Sequence, residues 1–132
     1  MNKLATNRFA KFCAVGAWGF VVDAGMLLAL IAIGVSAVPA RAISVIVAIT
    51  ATWIANRVWT FASSDKNLAM EWLRYMTTSA GGAAVNFAIY CTILLLVPQT
   101  PPVLALAIAS AFALMVNYLG ARFFAFNTSY MR

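Results

Sequence analysis

Residues 9–33 read FAKFCAVGAWGFVVDAGMLLALIAI, a run of 25 positions carrying two charges, Lys11 and Asp23. As an α-helix it would extend about 37 Å at 1.5 Å per residue, more than the roughly 30 Å of hydrocarbon in a bilayer. The run has neither a polar face nor a period-2 alternation. In lipid its N–H and C=O groups must therefore pair within the segment, which a helix does and an isolated strand does not. Three further runs of this kind follow, at about 40–60, 72–97 and 103–126. They are separated by a small-residue turn at 34–39, by the polar loop Ser63-Ser64-Asp65-Lys66-Asn67, and by a turn marked with Pro98, Pro101 and Pro102. The expected fold is an all-α membrane protein with four transmembrane helices in a single domain spanning 1–132.

Composition supports this independently. Of 132 residues, 64% are apolar and 9% charged, and the mean hydropathy is +0.92. Soluble domains run at about 45–50% apolar and about 25% charged, so a solvated surface cannot be assembled here. Histidine is absent and the acids are Asp23, Asp65 and Glu71. Without histidine there is no Ser-His-Asp or Cys-His set, and no Cys/His or multi-carboxylate cluster for a metal. No catalytic nucleophile, metal or cofactor is expected, and the protein is read as a non-enzyme with no nucleic-acid partner. Cys13 and Cys91 are expected as free thiols near opposite ends of their spans. Lys3, Arg8 and Lys11 ahead of an apolar run resemble a secretory signal, but the run exceeds the 7–15 residues of a signal core and more spans follow. It is read as a retained span.

The distribution of Lys and Arg orients the chain. Lys3, Arg8 and Lys11 precede the first span; Arg57, Lys66 and Arg74 flank the central loop; Arg122 and Arg132 follow or close the last span. Only Arg41 falls on the other side. The positive-inside rule then puts both termini and the 63–67 loop in the cytoplasm, with the net charge of +6 gathered almost entirely at one surface.

Displacing the sequence by 63 residues lays its first half on its second. Phe9 meets Trp72, Lys11 meets Arg74, Phe12 meets Tyr75, and Gly16, Gly19 and Asp23 meet Ser79, Gly82 and Asn86; Pro39 meets Pro102. After a two-residue insertion, 52–61 (TWIANRVWTF) matches 117–126 (NYLGARFFAF). Two helical-hairpin repeats are expected, about 8–61 and 71–126. Because two spans return the chain to its starting side, the repeats are expected to be parallel, related by an axis along the membrane normal.

Two sets of residues stand out. Gly16, Gly19 and Asp23 share one helix face, as do Ser79, Gly82 and Asn86. Close packing of the first and third spans would explain the small residues. A carboxylate inside a span costs about 2.5–3.5 kcal/mol on insertion scales, so Asp23 is expected to face a partner or a wet cavity. The second set lies at the cytoplasmic ends, where Arg57 and Arg122 stand among aromatics, including Trp59 and Phe124. Snorkelling cations in an interfacial belt would give the same pattern. Guanidinium, however, also grips phosphate bidentately. Lys11, Arg57, Arg74 and Arg122 are expected to form a cationic ring that holds a phosphate. Asn56, Thr52 and Asn117 are expected to lie slightly deeper, as neutral hydrogen-bonding groups.

Arg8-Phe9, Phe12, Val15-Gly16 and Val22-Asp23 at the start, with Asn56-Arg57-x-Trp59-x-Phe61 closing the first half, resemble the GtrA-like family. Gly81-Gly82-x3-Asn86 and the Arg122-Phe123-x-x-Phe126 close extend the resemblance over about 8–126. One departure is Ala121, where the repeat calls for a counterpart of Asn56. The resemblance implies work on polyprenyl-phosphate-linked sugars, moved across the inner (plasma) membrane for cell-envelope glycosylation, with a membrane glycosyltransferase as partner; Asp23, Asn56, Asn86 and Asn117 would then meet the sugar or line its path. Two other readings remain open. One is a non-transporting anchor for such a glycosyltransferase; the other is a small multidrug exporter, whose single membrane acid is, however, a Glu placed earlier in the first span. Four spans enclose little volume, which leaves room for a homodimer.

Overall fold

A computed structural model describes residues 3–127, apart from the side chains of Ala5, Ala37, Val38, Pro102, Val103 and Leu106. Arg132, counted above among the cytoplasmic cations, lies outside them. The described residues form four α-helices: α1 (Lys3–Ala32), α2 (Ala37–Ala55), α3 (Leu68–Leu96) and α4 (Pro102–Gly120). α2 runs on into a π-helical turn at Asn56–Thr60 and α4 into another at Ala121–Ala125. The stretches Thr6–Ala32, Pro39–Thr60, Leu68–Leu96 and Ala107–Ala125 are each long and apolar enough to cross a membrane. Their large apolar side chains point outward, Phe20 at 74% and Leu95 at 78% exposure among them. Water would not tolerate that much apolar surface, whereas lipid does. This is a multi-pass membrane protein.

The helix ends follow local chemistry. α1 stops at Gly34, whose φ of +93° suits the left-handed position closing a helix. The Gly34 N–H donates to Ile31 O at 3.0 Å and the Val35 N–H to Leu30 O at 3.0 Å, the paired bonds of a Schellman motif. α2 begins three residues ahead of the expected 40, with Pro39 in its first turn, where the missing N–H would have had no helical acceptor. α3 also begins early, because the Asn67 side chain caps it by accepting from the Met70 N–H at 3.1 Å. α4 starts on Pro102, pre-set for the first helical position.

The chain divides between Ser64 and Asp65 into two compact units. In the first, α1 packs along α2; in the second, α3 packs along α4. The buried face of α2 is a row of small residues, Ala40, Ser44 and Ala48, and that of α4 is Ala105, Ala109 and Ala113. The i, i+4, i+8 spacing keeps each row on one stripe, where small side chains let two helices approach closely. On the facing helices Gly19 lies against the Thr52 methyl and Gly82 against the Asn117 amide. Near the other end of each unit, edge-to-face Phe12–Phe61 rings sit 6.3 Å apart and Tyr75–Phe126 rings 5.7 Å apart.

Candidate functional site

The two π turns set the arginines. In the first, the Phe61 N–H reaches Asn56 O at 2.9 Å; in the second, the Phe126 N–H reaches Ala121 O at 2.9 Å. Each is an i→i+5 bond, a widening often found at functional positions. Arg57 and Arg122 are the second residues of these turns, and Trp59 and Phe124 are exposed on them. Arg57 Nη1 lies 3.4 Å from Ser63 Oγ, while the Arg122 guanidinium lies 5.0 Å over the Phe123 ring. Both arginines are half-buried, and an aromatic face braces the guanidinium of Arg122.

Lys11 and Arg74, expected with them in the phosphate-holding ring, are engaged within their own units. Lys11 Nζ donates to Trp59 O at 3.3 Å and lies 5.5 Å over the Trp59 ring. Arg74 Nε donates to Ala125 O at 3.2 Å, and its Nη2 pairs with Asp65 at 2.8 Å. Each cation thus caps a carbonyl at the negative end of its neighbouring helix, within its own unit. Asn56, expected on the sugar path, is only 1% exposed. Its Oδ1 accepts from the Thr60 hydroxyl at 2.7 Å, which makes it part of the turn's construction. It lines neither cleft described next.

Below the π turns each unit holds an open cleft. The first, about 240 Å³, is lined by Gly16, Gly19, Phe20, Asp23 and, from α2, Arg41, Val45, Ala48, Ile49 and Thr52. The second, about 410 Å³, is lined by Ser79, Gly82, Ala83, Asn86, Ser110, Ala113, Leu114 and Asn117. Every residue of the second cleft stands 63 or 65 positions after one of the first, the displacement found in the sequence. Asp23 therefore lines the first cleft, and Asn86 and Asn117 the second. Asn86 Nδ2 donates to Ser110 Oγ at 3.1 Å. Asn117 Oδ1 is shut from the surface with no hydrogen-bond donor among the described residues.

Sequence reasoning missed Arg41. Its position on the other side from the remaining cations gave no sign of a partner, yet its Nη1 is bonded to Asp23 Oδ2 at 2.5 Å, across the hairpin. The clue was available: Asp23 and Arg41 are the only charges between Lys11 and Arg57, one on each span. Ser110 was missed as well, because a lone serine in an apolar helix carries no signal until its neighbour is known.

Two lipid-exposed helical hairpins with polar clefts, each closed by an arginine-bearing π turn, define a multi-pass membrane protein without a large extramembrane part among the described residues. The chain belongs to the family described as GtrA/DPMS, transmembrane domain, which matches residues 11–126. It is also similar to the "Uncharacterized membrane protein YngA" of Bacillus subtilis (strain 168), 29% identical over 124 residues that cover 90% of this chain and 79% of that one. Family membership associates the chain with the handling of polyprenyl-phosphate-linked sugars.

Proposed function

We propose that the protein binds a polyprenyl-phosphate-linked sugar at the cytoplasmic ends of its hairpins and assists its passage across the inner membrane. The observation that carries this reading is the vertical order within each hairpin. A guanidinium sits on a widened helical turn, with an aromatic beside it, and a polar cleft lies below. A phosphate suits the first, hydroxyls suit the second, and a prenyl tail suits the apolar outer face. Arg57 and Arg122 hold the phosphate, while Lys11 and Arg74 shape the turns and add positive potential. Asp23, Asn86 and Asn117 meet the sugar. Both termini and the 63–67 loop face the cytoplasm, and the protein does no covalent chemistry. A membrane glycosyltransferase supplies the lipid, and a second copy of the chain enlarges the enclosed volume.

The Asp23–Arg41 pair weighs against a proton-coupled exporter, whose membrane acid must be free to load and release protons. The direct experiment is native mass spectrometry of the purified chain with defined polyprenyl-phosphate sugars, then a flip assay in liposomes. Arg57→Lys should weaken binding several-fold although the charge is kept, since an ammonium cannot reproduce a bidentate fork. Arg57→Ala should weaken it further. Binding indifferent to the phosphate would overturn the site. Phosphate-dependent binding without transbilayer movement would favour a non-transporting partner of the glycosyltransferase.

A further inference from the structure

The first hairpin carries an ion pair that the second does without. Position 106, which corresponds to Arg41 at the displacement of 65, is a leucine, and Asp23 corresponds to Asn86, bonded to Ser110. The second hairpin still forms the same packed row and the same cleft. Packing a hairpin of this design therefore does not demand the charges, and charges in a span are costly to keep. The pair is also lopsided. Asp23 is 19% exposed, and its second oxygen is buried without a hydrogen bond among the described residues; Arg41 is 55% exposed and lines the open cleft. A guanidinium has five N–H donors, and Asp23 occupies few of them.

Arg41 stands 16 residues ahead of Arg57 on the same helical run, roughly 24 Å away at 1.5 Å per residue. We propose that Arg41 is a second phosphate-binding site at the opposite end of the first hairpin, with Asp23 as the built-in counter-anion that the phosphate displaces. Its ligand is the phosphate of a polyprenyl-phosphate lipid, an assignment of lipid class that rests on the proposed function. An empty site keeps its cation paired. An occupied site has a carboxylate competing for the same fork, which holds the affinity down and hastens release.

The test uses the full chain in phosphatidylcholine nanodiscs, with Arg57→Gln and Arg122→Gln combined to silence the cytoplasmic ends. Sugar-free polyprenyl phosphate is titrated and bound lipid is read by native mass spectrometry, with thermal melting to establish that each variant is folded. Removing a negative charge should here strengthen the binding of an anion: Asp23→Asn should raise affinity about tenfold. Arg41→Gln should abolish that gain, and Arg41→Lys, which keeps the charge but not the fork, should cut it by more than half. Polyprenol, phosphatidylglycerol and inorganic phosphate should show no such gain. Unchanged affinity in folded Asp23→Asn, a gain that survives Arg41→Gln, or an equal gain for any of the three control molecules would overturn the proposal. The cytoplasmic site is judged separately, by whether Arg57→Gln with Arg122→Gln weakens binding when Asp23 and Arg41 are intact.

Discussion

The two hairpins differ most where they are polar, and there they differ in pairs. Asp23, paired with Arg41 in the first, corresponds to Asn86 in the second, bonded instead to Ser110, while Leu106 stands in the place of Arg41. Asn56 with Thr60 in the first becomes Ala121 with Ala125 in the second. A buried polar group left without its partner loses its hydration and gains nothing, whereas replacing both partners by apolar groups is nearly neutral. Ala121, which looked from the sequence like a weakened copy of a ligand residue, is better understood this way. Asn56 serves Thr60, and the second hairpin has dropped both ends of that bond while keeping the π turn. What the hairpins share is the small-residue rows, the Gly19 and Gly82 contacts, the i→i+5 bonds and a cation on a carbonyl of the π turn.

The largest break should come from splitting the ion pair. Arg41→Ala leaves the Asp23 carboxylate uncompensated within a span and should cost about 2–3 kcal/mol in equilibrium unfolding from mixed micelles. Adding Asp23→Asn should recover most of that loss. A double variant as unstable as the single one would show that Arg41 packs rather than compensates.

Breaking the first π turn is expected to cost somewhat less. Asn56→Ala strands the buried Thr60 hydroxyl and should destabilise by about 1–2 kcal/mol. Converting the turn to the second hairpin's version, Asn56→Ala with Thr60→Ala, should cost less than Asn56→Ala alone. A double-mutant cycle measures this coupling, and strict additivity would refute the reading of paired replacement.

The glycines sharpen the comparison at its finest scale. A Cβ at Gly82 would run into the Asn117 amide, and one at Gly19 into the Thr52 methyl, whereas one at Gly16 would meet no atom within 4 Å. Gly82→Ala should therefore cost about 1–3 kcal/mol as an overpacked contact. Gly16→Ala should be neutral or stabilising by up to about 1 kcal/mol, from helix propensity. Melting temperatures of the two variants in one detergent give the order, and equal losses would mean that the cleft walls yield.

Much of the architecture was legible in order along the chain. Spans, turns and the 63-residue displacement could be read because hydropathy and residue type are properties of single positions. Asp23, Asn86 and Asn117 could be picked out because polar groups are scarce in an apolar run. The partners of Lys11, Arg74 and Asn56 could not, since nothing along the chain says which carbonyl or hydroxyl of another turn a side chain will meet.

The sequence by itself determined that this protein lives in a membrane, with four helical spans and most of its Lys and Arg outside or near the ends of those spans. A composition of 64% apolar and 9% charged residues leaves the backbone no other way to satisfy its hydrogen bonds in lipid. Only the tertiary structure decided the pairings: Arg41 with Asp23, Lys11 on Trp59 O, Arg74 on Ala125 O, and Asn56 with Thr60. It also decided that α2 and α4 end in π turns, which set Arg57 and Arg122. Such partners depend on the depth and rotation of one helix against another. Those are fixed by how small-residue rows and glycines let the backbones approach, a relation between distant positions that no single run of residues contains.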